Sequence, residues 1–310
     1  MYLNNKRYYT LDSFYKDKFG CKIAKISLNC NFTCPNRDGS KGVGGCIYCS
    51  SLKSGDYAGN YHDDVVSQFN EIKKVMLHKW KDAKFIGYFQ AGTNTYAPVK
   101  VLKVKFEPIL KLDNVIGLNI ATRPDAINDE CLEYLIDLNK RTYLTIELGL
   151  QTIHDKTSTL INRCHTLKEF KDMVLKLREN NINVVVHIIN GLPYETKEMM
   201  LETVEYLNNL DIQGIKIHML HILKNTKLAE IYKNENFHIL TKDEYIDIVV
   251  SQLELLRPDI VIHRITGDPK VEDLIEPTWL IKKFVVLNDI DKELKRRDTY
   301  QGKLYKKTQL

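Results

Sequence analysis

Hydrophobic residues in the first third of the chain follow two rhythms. Lys22-Ile-Ala-Lys-Ile-Ser-Leu28 alternates enough to predict a strand. Between His62 and Lys81, Val65, Val66, Phe69, Ile72, Val75 and Met76 recur at helical spacing and predict the first long helix. Short apolar runs then return at Phe85–Phe89, Val115–Ile120, Tyr143–Leu148, Val184–Ile189 and Ile215–Leu220, with helical segments between them. Intervals of about 30 residues leave room for a crossover helix each time, which specifies repeated βα units and a parallel sheet. With the Lys22–Leu28 strand there are six units. Periodicity allows either an open doubly wound sheet or a partial barrel. The lack of a Gly-x-Gly-x-x-Gly fingerprint after the first strand lowers the dinucleotide-binding version of the open sheet.

The flanks read differently. Residues 1–20 carry Tyr2, Tyr8, Tyr9, Phe14, Tyr15 and Phe19 without a long period, and are expected to cap the main body, residues 21–235. Residues 236–310 form a C-terminal extension. In it, Lys242–Leu256 predicts an amphipathic helix stopped by Arg257-Pro258, and a short run, Ile260-Val-Ile-His263, leads into the turn Gly267-Asp268-Pro269.

Composition narrows the class. A chain of 310 residues with 44% hydrophobic content can build one large core. No apolar run approaches the roughly 20 residues that span a bilayer, and the first residues lack an apolar signal core. A cytoplasmic protein without membrane contact is expected. Seven cysteines, clustered rather than dispersed, also fit a reducing compartment better than a disulfide framework, with Cys21, Cys131 and Cys164 as free thiols. The net charge of +5 resides wholly in residues 282–310, where nine Lys or Arg face four Asp or Glu. Lys292, Lys295, Arg296, Arg297, Lys306 and Lys307, interleaved with Tyr300 and Tyr305, are candidates for RNA phosphate contacts and stacking. A solvated helix and tail would look the same.

Four of the cysteines fall in one stretch, Cys30-Asn-Phe-Thr-Cys34-Pro-Asn-Arg-Asp-Gly-Ser-Lys-Gly-Val-Gly-Gly-Cys46-Ile-Tyr-Cys49. Thiols this close, with glycines and a proline that let the backbone fold inward, suit a soft metal or an iron–sulfur cluster. A Cys-x3-Cys pair followed by Cys-x2-Cys would equally close a structural zinc knot in an RNA-binding module without catalysis.

Phe32-Thr33-Cys34-Pro35-Asn36-Arg37-Asp38-Gly39 and Gly44-Gly45-Cys46-Ile47-Tyr48-Cys49 resemble the opening of the radical SAM proteins of the YtqA/YhcC type, relatives of Elp3. The resemblance runs from about residue 20 to 300. It implies a partial (βα)6 barrel of the TIM type and a [4Fe–4S] cluster on Cys34, Cys46 and Cys49, with Cys30 outside the ligand set. It also implies S-adenosylmethionine (SAM) bound at the open iron, with Tyr48 beside the adenine.

In such barrels the active site lies at the C-terminal ends of the strands, where polar residues collect here. Gln90-Ala-Gly-Thr-Asn-Thr-Tyr-Ala97 stands where related proteins hold the amino group of the cofactor, which makes Gln90, Thr93 and Asn94 candidates. Later strand ends offer Arg123, Glu147, Gln151, His187 and Asn190, together with His218 and His221, while Arg264 is expected at the barrel mouth or substrate side. Glu147 is expected to hold the methionine or ribose part of SAM. Asn162-Arg-Cys-His165 resembles the family's Arg-Gly-His element, but Cys164 replaces glycine, which speaks against special backbone geometry there.

The implied chemistry is reductive cleavage of SAM to a 5′-deoxyadenosyl radical that abstracts hydrogen from an unreactive carbon, with an electron donor such as flavodoxin or ferredoxin. The implied substrate is a tRNA wobble uridine whose carboxymethylaminomethyl group becomes aminomethyl. A radical SAM enzyme acting on a small metabolite or peptide is the alternative.

Overall fold

Seven strands hydrogen-bond in parallel, and their order across the sheet is nearly their order in the chain. The structure is a computed structural model that describes residues 5–51, 53, 55, 57–235 and 237–307. After α1 (Leu11–Phe19) come six βα units: β1 (Ile23–Leu28) and α2 (Val65–Lys79), β2 (Lys84–Phe89) and α3 (Val99–Leu110), then β3 (Val115–Thr122) and α4 (Asp129–Arg141). They continue through β4 (Tyr143–Gln151) with α5 (Asp155–Leu160) and α6 (Leu167–Glu179), and β5 (Asn183–Asn190) with α7 (Lys197–Leu207). β6 (Gly214–Met219) is followed by a short β7 (Ile222–Leu223), α8 (Lys227–Glu235) and α9 (Lys242–Leu255). β8 (Val261–Arg264) then pairs with β6 as a seventh parallel strand, β9 (Leu274–Glu276) pairs antiparallel with β7, and α10 (Lys283–Arg296) packs beside α9.

The expected partial barrel is therefore present, as a curled half-barrel of six βα units whose sheet is extended by β8. That strand comes from the stretch 236–310, so extension and barrel share a ladder. The N-terminal segment joins the same edge, since the Ile262 amide donates to the Tyr9 carbonyl at 2.8 Å. Gln301 locks both ends together: its Oε1 accepts from the Tyr9 amide at 2.8 Å, and its Nε2 donates to the carbonyls of Arg257 and Ile260, each at 2.8 Å. Helix α1 seals the N-terminal end of the barrel by packing Tyr15 and Phe19 against Ile23, Ile86 and Tyr143.

Strand residues alternate between two environments, as a pleated sheet requires. Ile215 and Ile217 of β6, and Val184, Val186 and Ile188 of β5, are buried in the main core. Lys216 and His218, one step out of phase, point into the barrel and line its cavity.

The interior is polar where the two edges of the sheet approach. Lys25 of β1 reaches Nδ1 of His263 on β8 at 3.3 Å and Glu147 Oε1 of β4 at 3.1 Å. Asn119 of β3 donates to the same Oε1 at 2.8 Å. Lys216 of β6 contacts Glu147 Oε2 at 2.5 Å and the Tyr88 hydroxyl of β2 at 2.9 Å, and His187 Nε2 of β5 meets Oε2 at 2.9 Å. Each of the seven strands thus places one side chain in a single connected layer.

Burial pushes the Glu147 carboxyl up, but Lys216, Lys25 and His187 outweigh it and hold the group well below the ordinary value of 4.5. Desolvation brings Lys216 down to about 7 and His187 to about 4. At neutral pH His187 is uncharged and donates Nε2–H to the carboxylate.

Removing one partner of a buried ion pair leaves an uncompensated charge, at a cost of roughly 3–5 kcal/mol. Glu147→Gln is expected to lose about that much in urea unfolding, and adding Lys216→Met should recover part of it. Because the folded carboxyl titrates below 4.5, its contribution is present above that pH and is lost as pH falls through the folded value. The Gln variant should lack this part of the acid dependence, and a urea midpoint equal to wild type would contradict the assignment.

Candidate active site

Residues 29–50 leave β1 as a loop over the C-terminal mouth of the barrel. Consecutive left-handed glycines, Gly44 and Gly45 with φ of 81° and 83°, turn it back. Inside the loop the amide of Arg37 donates to the Cys34 carbonyl at 2.8 Å and that of Cys49 to Cys46 at 2.9 Å, while Arg37 Nη2 donates to the carbonyls of Cys49 and Ser50 at 3.1 and 2.6 Å.

Two neighbours clamp this loop. Gly92 (φ 79°) follows β2 and donates to the Lys53 carbonyl at 3.0 Å, and a Cβ there would stand 2.4 Å from the Phe32 carbonyl oxygen. On the other side, Asn162 donates to the carbonyls of Val43 and Gly45 at 3.1 and 2.8 Å, and its own carbonyl accepts from Asn36 at 2.5 Å. The expectation of ordinary backbone at Cys164 is corrected: its φ is +60°, so a cysteine occupies the left-handed conformation that glycine takes without strain. Arg163, fully buried, donates to the carbonyls of Leu150, Thr152 and His165 and so binds this turn to β4. Burial and the charges of Arg163 and Arg123 bring His165 to about 2, so it stays neutral.

Beneath the loop lies a cavity of about 740 Å³ lined by Cys34, Cys46 and Cys49. Burial pushes the Cys46 thiol up and Cys49 to about 11, and the charge of the Cys34 sulfur adds to the rise of both. Cys30 does not line the cavity; it packs in the main core, where burial pushes its thiol up to about 12. A closed four-thiolate site on this stretch therefore has no fourth ligand in reach.

Among the described residues no three His, Cys, Asp or Glu side chains are gathered as the ligands of one ion. Cubane ligands bind different iron corners and stand farther apart than the ligands of a single zinc. Asn36 Oδ1 and Ser50 Oγ, both on the loop, are buried without a hydrogen-bond partner among the described residues. Three cavity-facing thiols, no fourth, and unsatisfied polar atoms beside them fit a [4Fe–4S] cluster with one open corner.

The residues expected around SAM divide into groups. Tyr48, Gln90, Thr93, Arg123, Gln151 and His187 line the same cavity as the cysteines. Tyr48 also packs against the cluster formed by Ile47, Ile161 and Leu192. Arg123 grips Asp125 with two bonds of 2.9 Å and the Arg163 carbonyl with one of 2.8 Å, so most of its donors are taken.

Three expectations change with the geometry. Glu147 lines the cavity, but both of its oxygens accept two protein donors, which leaves no acceptor for SAM. Asn190 lies three residues from the inward His187, so strand alternation turns it outward, where it exchanges two bonds of 2.8 and 2.9 Å with Gln252 of α9. Asn94 is buried behind the mouth and ties β2 to β3 by donating to the carbonyls of Phe89 and Ala121 at 3.0 and 2.9 Å. Lys25, Tyr88, Asn119, Lys216 and His263 carried no expectation. Their signal was a lysine in the middle of each of two strands due for burial on both faces.

Three of the six candidate cations of the basic tail are paired within the protein. Lys292 contacts Asp289 at 3.0 Å and Arg296 contacts Glu293 at 2.7 Å, while Lys295, Lys306 and Lys307 are exposed. Arg297 is no surface cation: it is only 19% exposed and contacts Asp247, Glu293 and Glu254 at 2.5, 2.7 and 3.6 Å, fastening α10 to α9.

A parallel half-barrel with three thiols over its C-terminal mouth defines a class, and residues 28–207 match the Radical SAM superfamily while residues 212–296 match the Radical_SAM C-terminal domain. The chain belongs to the radical SAM superfamily. Over 302 residues it is 50% identical to YtqA of Bacillus subtilis (strain 168), which covers 97% of this chain and 94% of that protein. It is 31% identical to YhcC of Escherichia coli (strain K12) over 278 residues, 89% of each. Within the superfamily it falls in this YtqA/YhcC group. The solved structure of Methanocaldococcus infernus Elp3 lacking its first residues superposes with a TM-score of 0.66 at 17% identity, over 91% of this chain and 64% of that one. The chain thus spans somewhat under two thirds of that Elp3 chain, and the likeness is one of fold.

Alanine at Cys34, Cys46 or Cys49 is expected to abolish iron and sulfide uptake during anaerobic reconstitution, and Cys30→Ala to retain it. Iron loss in Cys30→Ala equal to that of the other three would contradict the ligand set.

Proposed function

We propose that this radical SAM enzyme acts on tRNA, removing the carboxymethyl portion of a carboxymethylaminomethyl group on a wobble uridine to leave aminomethyluridine. The observation that carries the reading is the composition of the cavity beneath the cysteine loop. Cys34, Cys46 and Cys49 share it with Arg264, a cation suited to an acidic side chain. Its rim carries exposed apolar residues, Tyr57, Val271 and Ile281, on which a nucleobase can rest. Kinship with YtqA and YhcC supports the same reading.

Cys34, Cys46 and Cys49 would hold the cluster, and Tyr48, Gln90 and Thr93 would border SAM. When bound, this pair supplies hydrogen-atom abstraction once an electron donor such as flavodoxin or ferredoxin reduces it. The chain's own part is to exclude water and to orient the target carbon. Tyr57, whose hydroxyl donates to the Pro269 carbonyl at 2.9 Å, draws the cysteine side and the C-terminal wall together over the cavity. Among the described residues no helix is long and apolar enough to cross a membrane.

The pairing of Lys292, Arg296 and Arg297 within the protein favours a second reading, a small metabolite or peptide as substrate. Two readouts of one preparation separate them. Reconstituted protein with SAM, a reductant and tRNA bearing the modified uridine should yield aminomethyluridine by nucleoside mass spectrometry, and an unchanged nucleoside alongside SAM turnover would support the second reading. If Lys295 and Arg296 meet phosphates, reversing both should flatten the log–log salt dependence of tRNA affinity by about 1.4 to 1.8, at 0.7–0.9 per contact. Identical slopes would leave the tail a solvated surface.

A further inference from the structure

The cavity has two electrostatic neighbourhoods. Around the cysteine loop, Arg37, Lys53 and Arg123 are spent on backbone carbonyls and on Asp125. The other neighbourhood is built by β6, β8 and the stretch after β8. There Lys216, Arg264 and Lys283 line the cavity with two carboxylates, Glu147 and Asp268, while Lys25 of β1, outside the lining, also pairs with Glu147.

Glu147 is saturated by its four donors. Asp268 is held by Lys283 at 2.6 and 2.8 Å, and Arg264 reaches it only at 3.4 Å. Arg264, with 36% of its side chain exposed, lines the cavity. The Nε2 atoms of His218 and His221, which line the same wall, are buried without a hydrogen-bond partner among the described residues. The charge of Arg264 also bears on Lys25, Lys216, His187, His218 and His221, lowering all five. A recess lined by a guanidinium and by polar ring nitrogens with no partner suits an anion, and a guanidinium suits a planar carboxylate best.

We propose that Arg264, with Nε2 of His218 on the same wall, forms a carboxylate-binding subsite that holds the acidic end of the substrate's side chain, apart from the cysteine loop. The identity of that carboxylate rests on the tRNA reading, whereas the existence of the subsite does not. Two carboxylates enter this cavity, that of the substrate and the methionyl group of SAM. The second belongs at the open iron by the cysteines.

The test uses reconstituted full-length protein as wild type, Arg264→Gln and Arg264→Lys. Binding of SAM, N-methylglycine, inorganic phosphate and two tRNAs, one carrying carboxymethylaminomethyluridine and one aminomethyluridine, is measured by titration. Wild type should prefer the acid-bearing tRNA. Arg264→Gln should weaken that binding roughly tenfold to hundredfold, the worth of a hydrogen bond between charged groups, with SAM affinity and iron content unchanged. Arg264→Lys should keep part of the preference.

Arg264-dependent binding of N-methylglycine without recognition of either tRNA would uphold the subsite and overturn the tRNA reading. Three results would overturn the proposal: SAM affinity falling in Arg264→Gln while the tRNA preference persists, phosphate displacing N-methylglycine, or no Arg264-dependent binding of any probe.

Discussion

A carboxylate buried at the centre of the barrel, Glu147, sets the terms for the rest of the structure. Lys25 and Lys216 approach it from β1 and β6, and neither lysine is tolerable at that depth without it. The carboxylate joins strands that share no ladder, since β1, β4 and β6 are not neighbours in the sheet. It also connects the first strand to the last through the contact of Lys25 with His263. An apolar plug would fill the same space, but it would not leave charged donors facing the cavity above. The layer that closes the barrel is thus also the floor of its site.

The cysteine loop depends on a different device. Regular structure does not hold it; two turns that grip its backbone do, one after β2 at Gly92 and one at residues 161–165. Each turn contains a left-handed residue, glycine in the first and Asn162 and Cys164 in the second. The strain at Cys164 is sustained because Arg163 beside it is fully buried and bonded to three carbonyls. Three thiols are thereby aimed into the cavity by a scaffold rigid enough to keep a ligand corner open.

Much of this was legible in the sequence, and the failures have physical causes. Apolar runs located all six expected strands because parallel strands covered on both faces have little choice of residue. The run at 260–263 was visible, but four residues do not say which edge they join, and its pairing with Gly214 and Ile215 needed the structure. Asn190 was assigned to the mouth because it follows His187 closely, although an odd separation along a strand puts the two on opposite faces. Lys25 and Lys216 passed unnoticed because lysine is read as a solvent residue, and only the fold reveals that both point at one carboxylate. Arg297 looked like part of a basic surface because its acidic partner Asp247 lies fifty positions away.

On the function we propose, one cavity joins a thiol-lined mouth for a redox cofactor with a cationic wall for an acidic substrate. Isotope transfer tests that union most directly. Reconstituted protein would be reduced in the presence of SAM and tRNA deuterated throughout its carboxymethylaminomethyl group, and the 5′-deoxyadenosine formed would be recovered for mass spectrometry. Deuterium in the recovered 5′-deoxyadenosine, matched by loss of the carboxymethyl portion from the tRNA, is the predicted result. Unlabelled 5′-deoxyadenosine formed at the same rate with or without tRNA would contradict it.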